Sequence, residues 1–178
     1  QYAGRRMSIK NIPKYETPFR IRVILGPQHE YFTQESFKIF LSESYVVGKA
    51  SDRMGYRLEG PKLEHVTGAD IISDGVPLGA IQVPGHGTPI IMLADRQTTG
   101  GYAKIATVIS VDIPLLAQCK PGDELFFEEI SIEQAHQLLR EQEQVLQQIS
   151  EMVKMPKERN FIIKIRGEEF YISVEEWK

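Results

Sequence analysis

Cysteine is almost missing from this chain: Cys119 stands alone among 178 residues, inside an apolar stretch. One thiol supports no internal disulfide framework and no thiolate metal site, so a reducing, cytoplasmic setting is expected. Long apolar runs are missing too. No stretch approaches the roughly 20 residues that a membrane-spanning helix needs, and no membrane association is expected. The opening Gln-Tyr-Ala-Gly-Arg-Arg-Met lacks the apolar centre of a signal peptide. It also starts on Gln1 rather than an initiator Met, so a piece of a longer protein is expected. Neither sign of charge dominates: 21 Lys and Arg face 24 Asp and Glu, a net of -3. With no run of Lys or Arg, a nucleic-acid partner is not expected. His29, His65, His86 and His136 are scattered, with no paired spacing to each other or to carboxylates, so no metal is expected. Two catalytic motifs are absent as well: there is no Gly-x-Ser-x-Gly and no phosphate loop ending in Gly-Lys-Ser/Thr.

What is present is a chain that can bury a core, since 42% of its residues are hydrophobic. Residues 1–18, with Pro13 and Pro18, form a polar lead-in. Arg20 to Leu25 alternates as a strand and ends at Gly26-Pro27. Thr33 then caps a short helix that places Phe37, Phe40 and Leu41 at helical spacing. Glu43 to Lys49, Ala80 to Val83, Pro89 to Leu93, Ile105 to Val111 and Glu124 to Ile130 read as further strands. Asp112 to Gln118 reads as a helical turn, with Asp112 as cap and Pro114 in its first turn. Many short strands with turn signals between them predict a mainly β domain over 19–130, a closed barrel or a sandwich. From Ser131 the period changes. Ser131 and Gln134 make a capping box, and an apolar stripe from Ile132 to Val153 predicts a long helix over 131–155, expected to pack on its own barrel. Pro156 stops it, and 156–178 forms a terminal β-hairpin extension around Arg-Gly-Glu. That tail resembles the opening strands of biotin-carrier domains, without the Ala-Met-Lys-Met hairpin that carries the lysine.

The candidate site lies in the turn after Leu93. Asp95, Arg96, Gln97, Thr98, Thr99, Tyr102 and Lys104 crowd together, and Gly100 and Gly101 let the backbone approach a ligand. A second cluster, with Arg53, Tyr56 and Arg57 around Gly55, can clamp a carboxylate or phosphate through a guanidinium fork. Asp95 is a candidate base, Arg53 or Arg96 a candidate for a carboxylate or developing oxyanion, and Tyr102 or Lys104 a candidate proton donor. The residues also allow a scaffold reading, in which Asp95 and Arg96 pair with each other and with turn amides. His86, between two glycines, is a further candidate on an active loop.

Four stretches together resemble one family: Ser-Asp-Arg-Met-Gly-Tyr-Arg-Leu-Glu-Gly (51–60), Gly-Ala-Ile-Gln-Val-Pro (79–84), Ala-Asp-Arg-Gln-Thr-Thr-Gly-Gly-Tyr (94–102) and Gln-Cys-Lys-Pro-Gly-Asp (118–123). They are similar to the KipA family, also called the allophanate hydrolase subunit 2 or biotin-dependent carboxyltransferase family, which includes the C subunit of bacterial 5-oxoprolinase. The resemblance implies a cyclophilin-like closed β-barrel, here the C-terminal domain of a longer polypeptide. It implies work with a KipI-like B subunit and with the A subunit in ATP-dependent opening of 5-oxoproline to L-glutamate. ATP is used by the whole complex, and no cofactor is assigned to this domain. It implies a small carboxylate or lactam substrate, with Asp95, Arg96, Tyr102 and Lys104 as catalytic residues. Arg53, Tyr56, Arg57, Gln82, Gln97, Thr98, Thr99, Gly100 and Gly101 are implied as substrate-binding residues. Family members are also described as relieving KipI inhibition of a sporulation histidine kinase. Two alternatives stay open: a purely regulatory KipI-binding module, and a carboxyltransferase-like domain acting on a urea-type substrate.

Overall fold

Alternation builds the first strand, β1 (Phe19–Leu25), which buries Phe19, Ile21 and Val23 and leaves Arg20 outside. A computed structural model describes Ile12, Tyr15, residues 17–154 and 158–175. The lead-in expected over 1–18 falls mostly outside these residues, and so does the helix stop at Pro156. The chain divides into two compact units, Pro13–Arg140 and Gln1–Ile12 with Glu141–Lys178.

In the first unit six further strands complete a closed barrel with β1: β2 (Tyr45–Val47), β3 (Gly55–Glu59), β5 (Ala80–Gln82), β6 (Ile90–Met92), β8 (Lys104–Val108) and β9 (Glu124–Glu129). Their order around the barrel is β1-β8-β5-β6-β3-β2-β9. β1 and β9 run parallel, and the other neighbours run antiparallel. The fold is thus mainly β, and closure selects the barrel over the sandwich. Its interior is filled by Ile21, Val23, Phe40, Tyr45, Ile81, Ile91, Ile105 and Leu125, all fully buried. Phe40 stacks on Phe127 at 4.5 Å between ring centroids. Phe40 belongs to α1 (Gln34–Ser42), whose N-cap is Thr33, as its sequence predicts: Ser36 N donates to Thr33 Oγ1.

Two strands of this unit lie outside the barrel. β4 (Asp70–Gly75) and β7 (Thr99–Tyr102) pair with each other as a separate two-stranded ribbon. The stretch expected as a polar turn at 94–104 is therefore partly strand. Beneath it, a small second core of Val76, Ala80 and Met92 packs outside the barrel interior.

The helical turn after β8 also differs from expectation. A 3-10 turn at Ser110–Asp112 precedes α2 (Ile113–Leu116), but the Asp112 side chain makes no cap hydrogen bond. Instead its carboxylate accepts from the backbone N of Arg22 at 2.8 Å, from Nε at 3.0 Å and from Nη2. A buried carboxylate gains more from a guanidinium on the adjacent strand than from one turn amide. That bond also holds Arg22 protonated, raising it above its ordinary value against the opposing effect of burial.

α3 (Ile132–Lys154) opens on the expected capping box, in which Ser131 N donates to Gln134 Oε1 and Gln134 N donates to Ser131 Oγ. In its first part, Ile132–Arg140, the stripe residues Ala135, Leu138 and Leu139 are half-buried. In the second unit, β10 (Glu158–Ile165) and β11 (Glu168–Glu175) form the terminal hairpin, paired from Glu158↔Glu175 to Ile165↔Glu168.

Candidate functional site

Strand parity decides which candidate residues meet. Arg57 of β3 pairs with Ile90 of β6, and Ile90 pairs with Gln82 of β5, so the three side chains share one face of the barrel wall. The neighbouring row, Tyr56, Ile91 and Ile81, takes the opposite face, where Ile91 and Ile81 are fully buried in the core. On the first face lies a cavity of about 190 Å³ lined by Asp52, Met54, Gly55, Arg57, Gln82, Ile90, Met92, Gln97 and Tyr102. Gln82 is buried there, and its Nε2 donates to the Tyr102 carbonyl at 3.4 Å. Gly100 packs directly against that amide. A Cβ at position 100 would stand 2.7 Å from Gln82 Nε2 and 3.0 Å from Val76 Cγ2, with both neighbours held in place. Gly101 is looser, its virtual Cβ 3.6 Å from the Ile71 carbonyl. Thr98 and Thr99 are exposed beside them, Thr98 accepting from Val76 N through its carbonyl.

The other candidates stand elsewhere. Arg53 and Asp95 form a two-point ion pair, Nε to Oδ2 at 3.0 Å and Nη2 to Oδ1 at 3.1 Å, braced by Asp95 N donating to the Arg53 carbonyl. So Asp95 pairs with Arg53 and not, as the scaffold reading expects, with Arg96. Arg96 spends two donors on backbone carbonyls, Nε on Val76 at 2.9 Å and Nη1 on Leu93 at 3.2 Å. These bonds engage two of the five guanidinium N–H donors of Arg96.

Tyr56 lines a second, mainly apolar cleft of about 420 Å³ with Arg53, Leu78, Leu93, Ile113, Cys119 and Pro121. Its hydroxyl donates to the Cys119 carbonyl at 3.0 Å, and burial, with smaller contributions from Cys119 and Asp123, raises its pKa above the ordinary phenol value. His86 lies apart again, in an open cavity with Lys62, Glu64 and His65.

Lys104 departs furthest from its expected place. The chain crosses from the ribbon to the barrel at Ala103, so Tyr102 and Lys104 belong to different sheets. The Lys104 side chain is buried and its Nζ meets Asp74 Oδ2 at 3.0 Å. Gln28 joins them: Lys104 N donates to its Oε1, and its Nε2 donates to Asp74 Oδ2. The Asp74 carboxyl is held below its ordinary range by the Lys104 hydrogen bond first, then by the Gly75 amide and Gln28. Sequence reasoning missed Asp74 and Gln28. Both lie far from Lys104 in the chain, and topology alone brings them together.

The arrangement suits binding and orientation. Arg57 offers a guanidinium, Gln82 and Gln97 offer amides, and Tyr102 a phenol, around a space below the roughly 300–1,000 Å³ of sites for drug-sized ligands. Among the described residues no group of His, Cys, Asp and Glu is arranged to hold a metal ion. No helix among them is long and apolar enough to cross a membrane.

Comparison with known proteins supplies the lineage. The chain is 39% identical to the C subunit of 5-oxoprolinase from Haemophilus influenzae over 133 residues, 75% of this chain and 43% of that protein. It is 37% identical to the Escherichia coli protein of the same name over 131 residues, 74% of this chain and 42% of that one. The chain thus spans less than half the length of these relatives. The solved urea carboxylase of Kluyveromyces lactis superposes with a TM-score of 0.71 at 28% identity, over 76% of this chain and 13% of that one. The model of one family, described as the carboxyltransferase domain, subdomain A and B, matches residues 2–129, and the chain belongs to that family.

Proposed function

We propose that this barrel binds and orients 5-oxoproline for a 5-oxoprolinase, with ring opening completed by further subunits. The observation that carries the proposal is the placement of Arg57, buried Gln82, Gln97 and Tyr102 around one small cavity whose lining is otherwise mostly apolar, with Met54, Ile90 and Met92. Arg57 suits the substrate carboxylate through a charge-assisted fork. The amides of Gln82 and Gln97 suit the lactam, which presents one N–H donor and one carbonyl acceptor. The cavity's one lining carboxylate, Asp52, already accepts from the amides of Met54 and Gly55. The step that adds water across the ring amide therefore draws its remaining groups from the KipI-like B subunit and from the A subunit, and the complex supplies ATP. The two relatives named as the C subunit of 5-oxoprolinase support this substrate over others. A regulatory role, in which docking of the KipI-like partner lifts its inhibition of a sporulation kinase, belongs to the same proposal through the family resemblance.

The similarity to urea carboxylase favours a second reading, a carboxyltransferase-like site for a urea-type substrate. Urea has amide groups and no carboxylate, so Arg57 separates the two. In the assembled complex, Arg57→Ala is expected to raise KM for 5-oxoproline at least 10-fold, the loss of about 1.5 kcal/mol or more typical of a hydrogen bond to a charged group. An unchanged KM contradicts the proposal, and urea-dependent turnover that ignores the substitution favours the second reading.

A further inference from the structure

The β4–β7 ribbon meets the barrel with few apolar side chains: Ile71 packs on the main core, and Val76, just past β4, joins Ala80 and Met92. Of β4, Ile71 is half-buried, while Ile72 is 94% exposed. The β4–β7 pairing is itself irregular between Asp70 and Asp74. Against this loose strand stands a lysine whose side chain is only 2% exposed, facing an Asp74 side chain that is 53% exposed. A buried ammonium gives up its hydration and holds its charge only against a well-placed partner. That partner sits on the ribbon, and Lys104 sits on barrel strand β8.

The same ribbon contributes Tyr102 to the lining of the Arg57–Gln82 cavity. Asp74 pairs with Gly100, and Asp70 with Tyr102, so the position of β4 sets that of the Gly100–Tyr102 stretch that meets Gln82. We infer that Asp74 is a positioning residue: through Lys104 and Gln28 it tethers the β4–β7 ribbon to the barrel and so fixes Tyr102 in the cavity lining and the Gly100 backbone that packs on Gln82. The role assigned to that lining rests on reading this cavity as the 5-oxoproline site. Lys104 then acts as the barrel's half of a tether, and its charge is spent on Asp74 rather than on a proton transfer. The low Asp74 pKa agrees, since a carboxylate held ionised keeps the tether closed through neutral pH. Arg96 adds a second tie nearby, at the Val76 carbonyl.

Amide hydrogen exchange tests the tether independently of turnover. Val76 N donates to the Thr98 carbonyl and Ala103 N to the Ala69 carbonyl, flanking the ribbon, while Val108 N donates to the Gly79 carbonyl within the barrel wall. In Asp74→Asn, exchange at Val76 and Ala103 is expected to quicken at least tenfold, with Val108 unchanged. In the assembled complex the same variant is expected to raise KM for 5-oxoproline at least fivefold with little change in kcat, and Asp74→Glu to restore both. Should Asp74→Asn misfold by stranding the ammonium, Lys104→Met removes that charge and gives the same readout. Unchanged exchange in both variants overturns the tether. Faster exchange with an unaltered KM leaves the tether standing and contradicts the placement of 5-oxoproline in this cavity.

Discussion

Cys119 shows how burial disarms a reactive group. The thiol is buried, its Sγ donating to the Leu115 carbonyl at 3.8 Å, and desolvation, with a smaller push from Asp123, moves its pKa up to about 12. Because the thiolate is the nucleophile, alkylation at pH 8 is expected to run at least about 100-fold slower in the folded protein than in urea. Timed iodoacetamide labelling checks this, and equal rates in both states contradict it. In the sequence Cys119 stands in an apolar stretch, which agrees with its burial. Lys104 was not legible in the same way. A lysine beside Tyr102 in a polar stretch reads as exposed, but Lys104 shares the face of Gln82 and is covered there by Asp74 of the ribbon, 30 positions away.

At the scale of elements, the buried carboxylate of Asp112 joins the turn before α2 to strand β1. Its oxygens serve three donors of Arg22, one of them the backbone amide. Asp112→Ala strands both that amide and the guanidinium. With the Arg22 side chain about a third exposed, the loss is expected at about 2–4 kcal/mol, below the upper end for a broken buried pair. Urea denaturation measures it, and a loss under about 0.5 kcal/mol, the range of an ordinary surface change, contradicts it. The strand alternation of β1, the Thr33 cap and the Ser131–Gln134 capping box were all legible, because each depends on residues within a few positions. Asp112 read as a cap for the same local reason, a following Pro114, and the reading missed because the partner lies 90 positions away. The stripe of α3 was legible as a helix face, but periodicity names a face and not what covers it.

At the scale of the molecule, barrel closure sorts the candidate residues. Adjacent residues of β3 take opposite faces, sending Arg57 to the cavity beside Gln82 and Tyr56 to the apolar cleft. In sequence they look like one cluster. The central claim is that the Arg57–Gln82 cavity, and not the cleft, receives the substrate. Side-chain amide NMR of the isotopically labelled chain, titrated with 5-oxoproline with and without its partner subunits, tests it most directly, because Gln82 is a buried reporter inside the cavity. The expected result is a saturable shift of the Gln82 side-chain amide together with the Tyr102 and Gly100 backbone amides, while the Cys119 amide stays still. Shifts confined to the cleft around Tyr56 and Cys119, or a Gln82 amide that does not move at saturating 5-oxoproline with the partners present, would contradict it.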